Sequence, residues 1–515
     1  MTPAAKTGIV RTRQNDASKT PRQSGRLRIP RITVLRKLRR QTATETQPRG
    51  GGKWEKALNP CQAVTNSICH STIPAFMLAH RPMASLMKLG LSLVVLVAAM
   101  LLSSSVFGRE SILADGSGGS RQPAPGTAAH RADGPTTGSY ASADGFVYIG
   151  MDGDPSHPQL GYYDEHTRRL GTLLHAGGQH YRSMEAPLLD FDLKRPTVTV
   201  MEDRHRLKDA DGQLGYSLWH VKGARQRPLI VLIQGADNAT RGFGFLTAYF
   251  VTHGLDVAAY DQRGTGESTG NWHYTSPQSK AADVIAMLRQ LGSDPAVDPK
   301  RMGVWGPSNG GWVAPIVAAR YRLAFMILKS APSESIADNV LYEICQVLQQ
   351  HGKFSTEQID TAMRFESGMF RYLKTNQKAK QTAAALASAK KQPWFPLMRI
   401  PPDLTIPPPA PLLAGLRAAL IYDPVPVLEH VATPTLALFG ARDRNVDAAD
   451  SEQGFRKAFH KSGLRDYTMH IFPDADHLLV ESKPGYIDEE PDAVRFSRGY
   501  PDIMIQWLAQ RGLTH

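Results

Sequence analysis

The stretch Val304-Trp-Gly-Pro-Ser-Asn-Gly-Gly-Trp312 sets Ser308 in a G-x-S-x-G frame. An apolar run, Met302 to Trp305, leads into it, and a helix-like stretch, Trp312 to Tyr321, leads out. Strand, tight turn and helix in that order hold a serine hydroxyl out on a strained corner, where it can act as a nucleophile. The flanking glycines let two elements approach closely and accept backbone angles that a Cβ would forbid. Alone, the frame carries little weight, because a chain of this length has roughly a one-in-six chance of holding one by accident. Its surroundings decide the fold. Within the outgoing helix, Pro315 predicts a kink or an early wide turn.

Upstream, Pro228-Leu-Ile-Val-Leu-Ile233 is an unbroken apolar run ending at Gln234-Gly235. Such runs are typical of strands covered on both faces. Phe243 to His253 reads as a helix closed by Gly254, and Asp256 to Tyr260 as the next strand. Ser279 to Leu291 has helical spacing and stops at Gly292, and Phe325 to Leu328 is another strand. The alternation predicts an α/β fold with a mostly parallel, doubly wound sheet. Residues 333–430 interrupt it, helical early (Ile336 to Gln350, Thr356 to Leu373) and proline-rich later (Pro393 to Pro411), and read as an inserted cap. Strands resume at Pro434 to Phe439 and Tyr467 to Phe472, and the last helix is Asp502 to Gln510. The core is therefore expected in two parts, 201–332 and 431–515. Residues 143–200, with short apolar runs at Phe146 to Ile149, Leu160 to Tyr163 and Thr197 to Val200, read as a small β-rich appendage.

The formal net charge of +13 resides in one segment. Residues 1–82 hold 16 Lys/Arg against 3 acids, and the remainder is balanced with 44 of each. That segment lacks a sustained apolar period and reads as disordered, with a start codon placed too far upstream as the simplest account of it. From Met83 a basic start leads into Leu89 to Leu102 without charge, then Val106 and Gly108 at −3 and −1 positions. Residues 83–108 thus read as a secretory signal peptide, cleaved near Gly108 for export to the periplasm or beyond. The alternative is an anchor over residues 89–107, although fourteen helical residues span only about 21 Å. Residues 109–142 are Gly/Ser/Pro/Ala-rich and read as a flexible linker. With Cys61 and Cys69 removed by cleavage, Cys345 is expected as a lone buried thiol. The neutral body argues against a nucleic-acid partner.

A serine nucleophile needs a base to take its proton and an acid to orient that base. Candidates follow successive strands: Ser308 after Met302–Trp305, Asp443 within Gly440-Ala-Arg-Asp443, and His477 within Pro473-Asp-Ala-Asp-His477. Each lies past a strand's carboxyl end, where open α/β sheets place their sites. Further pieces are Tyr260-Asp-Gln-Arg-Gly-Thr-Gly-Glu-Ser268 and Asp423-Pro-Val-Pro-Val-Leu428. With these motifs, residues 196–515 resemble an α/β-hydrolase of the serine aminopeptidase-like and esterase-like bacterial group. The resemblance implies Ser308 as nucleophile, His477 as general base and Asp443 as orienting acid. It also implies an oxyanion hole from the backbone N–H groups of Ala236 and Asn309. The chain departs from that group in having Gln234-Gly235 in place of His-Gly, and Pro307 before the serine.

Asp447 is an alternative acid one turn on, and His470 an alternative base within a strand. Asp474 and Asp476 read as solvent-facing or loop-capping. His253 reads as a helix-end residue, His273 as an exposed loop residue, Trp312 as core or substrate contact, and Trp394 as a cap residue or substrate contact. Asp261 and Arg263 read as loop-stitching. No histidine or cysteine cluster has metal-ligand spacing, and Gly264-Thr-Gly266 is too short for a dinucleotide loop, so no metal or cofactor is expected. The expectation is a serine hydrolase acting on a small-molecule ester or thioester. The alternatives are an aminopeptidase or amidase on short peptides, and a non-catalytic binding protein of the same fold.

Overall fold

The computed structural model describes residues 136–514 apart from 143, 154–158, 210, 237–239, 272–274, 351–352 and 487–493. The basic segment, the signal-like segment and most of the linker lie outside the described residues, as does His273.

The chain opens with six antiparallel strands: β1 (Gly138–Ser142), β2 (Gly145–Gly153), β3 (Gln159–Asp164), β4 (Arg169–Gly177), β5 (His180–Ser183) and β6 (Asp190–Asp192). Then come β7 (Val198–Asp209), β8 (Gly212–Val221), β9 (Arg227–Leu232), β10 (Gly242–Phe243), helix α1 (Phe245–Thr252), β11 (Asp256–Tyr260), α2 (Pro277–Gly292), β12 (Val297–Pro307), α3 (Gly310–Arg320) and β13 (Phe325–Lys329). The cap holds α4 (Ile336–Gln350), α5 (Thr356–Thr375), α6 (Ala379–Ala389), a short 3-10 turn (Phe395–Met398), α7 (Ala410–Leu420) and α8 (Val425–Leu428). The chain closes with β14 (Thr435–Gly440), α9 (Ala448–Ser462), β15 (Tyr467–Phe472) and α10 (Asp502–Ala509).

Strand order across the sheet is β15-β14-β13-β12-β9-β11-β8-β7, then β1 to β6 in sequence. β9 and β11 to β15 pair in parallel, whereas β8 is antiparallel to β11 and β7 to β8. The strand pattern explains the layering. In β9, Leu229 and Val231 enter one core while Ile230 and Leu232 enter the other. The first core takes Val284 and Leu288 of α2 with Val313 and Val317 of α3. The second takes Phe250 of α1 with Met504 and Trp507 of α10. A strand apolar at every position must bury both faces, and helices on either side do so, each buried Leu or Ile contributing about 1.5–3 kcal/mol.

Three local readings differ from the structure. Thr197 to Val200, placed with the appendage, leads into β7 (Val198–Asp209), which pairs with β8 from Val200 to Asp209, so the 200/201 boundary cuts a strand. Phe243, placed at the head of a helix, instead lies with Gly242 in β10, paired with Asp152 and Gly153 of β2. Cys345 is buried and disulfide-bonded, not a lone thiol; its possible partners, Cys61 and Cys69, lie outside the described residues, and both would be lost on cleavage near Gly108. α3 continues through Pro315 to Arg320.

The appendage is held by both backbone pairing and side chains. β1 meets β7 at only Gly138↔Thr199 and Ser139↔Val198. Tyr148 and Tyr163 are 1% exposed and enter the second core, Tyr148 edge-on to Tyr249 of α1 at 5.0 Å and Tyr163 edge-on to Phe496 at 5.4 Å. The sheet's far edge is β6, only Asp190-Phe-Asp192, with Asp190 paired to Arg182 at 2.7 Å and Asp192 to Lys194 at 2.6 Å.

Candidate active site

Chain order reverses about β9: the next parallel strand, β11, lies on one side and β12 on the other. Loops leaving β9 and β12 part there and open a crevice. Ser308 leaves β12 with φ +47°, in the left-handed region, which costs a non-glycine residue about 1–3 kcal/mol. Its N–H donates to the Lys329 carbonyl at 2.8 Å, and its own carbonyl accepts from Gly311 at 2.8 Å. The turn is tight enough that a Cβ on Gly306 would stand 2.6 Å from the Gly310 carbonyl oxygen. Pro307 is the last residue of β12. Asn309 follows with helical angles, and α3 begins at Gly310. Neither Asn309 N–H nor Ala236 N–H meets an acceptor among the described residues.

Asp443 and His477 are buried and bonded, His477 Nδ1 to Asp443 Oδ2 at 2.8 Å. The other carboxylate oxygen of Asp443 accepts from the N–H groups of Asn445 at 2.8 Å and Val446 at 2.9 Å. Three bonds thus fix the carboxylate, and the carboxylate fixes the ring. The loops interlock: a Cβ on Gly440 would lie 2.2 Å from the Asp476 carbonyl oxygen. Ser330, at the end of β13 with φ +49°, donates its hydroxyl to the His477 carbonyl at 2.7 Å. The backbone N–H groups of Ser308 and Ser330 reach Lys329 and Leu438 respectively, so β13 links the serine turn to the strand before Asp443.

The alternatives find other work. Asp447 caps α9, accepting from Ala449 N–H at 3.1 Å and Asp450 N–H at 3.0 Å. Asp476 is buried, not solvent-facing; its Oδ1 accepts from Leu478 and Val480, and burial pushes its carboxyl up to about 6 despite nearby Lys329. Asp474 accepts from the Ser497 hydroxyl. His470 stacks edge-on against Phe472 at 4.3 Å, and His253 Nδ1 lies 2.8 Å from the Tyr249 carbonyl oxygen. Asp261 and Arg263 stitch loops: Asp261 pairs with Arg241 at 2.5 Å, and Arg263 with Asp283 at 2.6 Å and Asp209 at 2.5 Å. Trp394 is fully buried in the cap against Phe365. In place of a histidine, Gln234 donates its amide to the carbonyls of Tyr260 and Thr240, tying β9 to its neighbours.

Two residues at the site go unmarked in the sequence. Tyr342 of α4 donates its hydroxyl to the Asp443 carbonyl at 3.1 Å, pinning the cap to the acid loop. Glu334 accepts from the Ser451 hydroxyl at 3.0 Å through its side chain and from Trp312 Nε1 at 3.0 Å through its carbonyl, and burial pushes its carboxyl up to about 8. Both residues act on partners distant in sequence, so no local pattern announces them. Among the described residues, no group of His, Cys, Asp and Glu is arranged to hold a metal ion, and no helix is long and apolar enough to cross a membrane.

Residues 224–387 match the family described as Serine aminopeptidase. An uncharacterized 31.7 kDa protein from the traX–finO intergenic region of Escherichia coli is 24% identical over 281 residues, 53% of this chain and 91% of that one. A polyketide transferase of Penicillium crustosum is 32% identical over 103 residues, 20% of this chain and 33% of its own. Among solved structures, an esterase of Pyrococcus furiosus aligns over 60% of this chain and 91% of its own, with 12% identity and a TM-score of 0.36. Acetyl xylan esterase 1 of Thermoanaerobacterium aligns over 61% and 88%, with 13% identity and a TM-score of 0.34. By its sheet and its serine turn, with the family match over residues 224–387, the chain has the α/β-hydrolase fold.

Proposed function

We propose that the protein cleaves a carboxylic ester or thioester through an acyl-enzyme formed on Ser308. The observation that carries this reading is the buried Asp443–His477 pair beyond two strand ends, with Ser308 raised on a strained turn beyond a third. Ser308 Oγ attacks the carbonyl carbon, and His477 Nε2 accepts its proton while Asp443 holds Nδ1–H. Charge gathers on the carbonyl oxygen, where the N–H groups of Ala236 and Asn309 would meet it. Such donors are typically worth about 10²–10³ each, because they act on charge present only in the transition state. His477 then protonates the leaving group, and water repeats the sequence to free the acid and restore Ser308.

The test is turnover of p-nitrophenyl esters from acetate to palmitate by wild type and Ser308→Ala. Wild type should turn over, and the variant should fall by about 10⁴ or more. Equal measurable rates in both would remove Ser308 as nucleophile. The serine aminopeptidase match favours a second reading, in which the same groups cleave the amide of a short peptide. Aminoacyl p-nitroanilides as better substrates than any ester would select it. We also infer export after cleavage near Gly108, which N-terminal sequencing of the product tests.

A further inference from the structure

Helix α5 packs on both α4 and α7, and α4 carries the tyrosine that touches the acid loop. On the far side of α5 lies a cavity walled by Met369 and Leu373 of α5, Ile400 and Leu404, and Leu416 and Leu420 of α7. None of the candidate catalytic residues lines it. Among the described residues that line it, the one charged side chain is Glu366. That residue is 2% exposed, and its Oε2 has no hydrogen-bond partner among the described residues.

The position is odd on physical grounds. Glu366, Met369, Phe370 and Leu373 follow i, i+3, i+4, i+7, the spacing of an apolar helix face. Leucine there would pack without penalty, whereas a carboxyl buried without a partner is costly. Burial alone pushes this carboxyl up to about 8, so at neutral pH it stands as the uncharged acid. A neutral carboxyl in an apolar wall is a hydrogen-bond donor awaiting an acceptor.

We propose that this cap cavity is a binding site for a small, uncharged aliphatic molecule bearing one hydrogen-bond acceptor, such as a ketone, with Glu366 donating to that acceptor. The apolar walls select the aliphatic part and exclude ions. The donor fixes which end of the ligand points at α5. The site is separate from the serine turn, and the assignment stands whether or not the chain is an esterase.

The probe is 2-hexanone, titrated calorimetrically into the purified protein, with n-hexylamine as the cationic counterpart. One saturable site for 2-hexanone is expected, unchanged in Ser308→Ala, with much weaker binding of hexylamine. Glu366→Leu should weaken the ketone about tenfold, the value of one hydrogen bond to a desolvated group. Glu366→Gln, whose amide still donates, should stay within about threefold of wild type. Leu416→Trp should close the cavity and abolish binding. Glu366→Leu should also raise the melting temperature, since it removes an unpartnered buried carboxyl. No saturable binding, tighter binding of hexylamine, or equal ketone affinity in Glu366→Gln and Glu366→Leu would overturn the assignment. The Gln and Leu pair carries the test by itself should Leu416→Trp fail to fold.

Discussion

Ser308 sits where its own backbone disfavours it, at φ +47° in the turn between β12 and α3. Glycine has no Cβ to pay that penalty. Ser308→Gly should therefore raise stability by about 1 kcal/mol in urea titration while abolishing ester turnover. A loss of stability instead would show that the serine side chain supports the turn. At this scale the sequence is informative where chemistry is local: Ser308, Asp443 and His477 stand out by their places after successive strands, and the structure joins the last two directly. It is silent on Ser330, Tyr342 and Glu334, whose bonds to His477, Asp443 and Ser451 span 147, 101 and 117 residues.

Elements divide in the same way. Strands buried on both faces are legible because a short, continuous apolar run between turn residues has to hide every side chain, and a central strand does so. The Ile336–Gln350 helix is legible from its period, and the structure gives those bounds. α7 is hidden because prolines surround it, and β10 because its partner in β2 lies far upstream. The junction of β14 and the histidine loop offers the sharpest element-scale prediction. Gly440→Ala would drive a methyl into the Asp476 and Ala475 carbonyls, at 2.2 Å and 2.5 Å. It should cost about 1–3 kcal/mol and lower kcat more than it raises KM, because the displaced loop carries His477. Wild-type kcat in a folded Gly440→Ala protein would contradict the proposed role of that loop.

Among the described residues, four buried carboxyls with large shifts pull in one direction. Glu334 and Glu366 are raised to about 8, and Asp256 and Asp476 to about 6. A carboxyl raised on folding binds its proton more tightly in the native state, so the stability from protonation is complete below its ordinary value near 4. It is lost as pH climbs through about 6 for the two aspartates and about 8 for the glutamates. Each group can steepen the fall by up to about 1.4 kcal/mol per pH unit within its window. The melting temperature should decline between pH 5 and pH 8, and Glu366→Gln should flatten part of that decline. A flat wild-type profile would refute the upward shift of these carboxyls.

The end of the sheet at β6 has a meaning beyond catalysis. A ladder of this breadth that does not close into a barrel leaves unpaired backbone at its margin, an invitation for another chain to add itself. Here the margin is three residues long, with Asp190 and Asp192 each held in an ion pair on their own chain. A newcomer would find too little backbone to grip and would have to strip water from charge on arrival. On this side the sheet ends in a short charged stub, a built-in guard against templated aggregation at that edge.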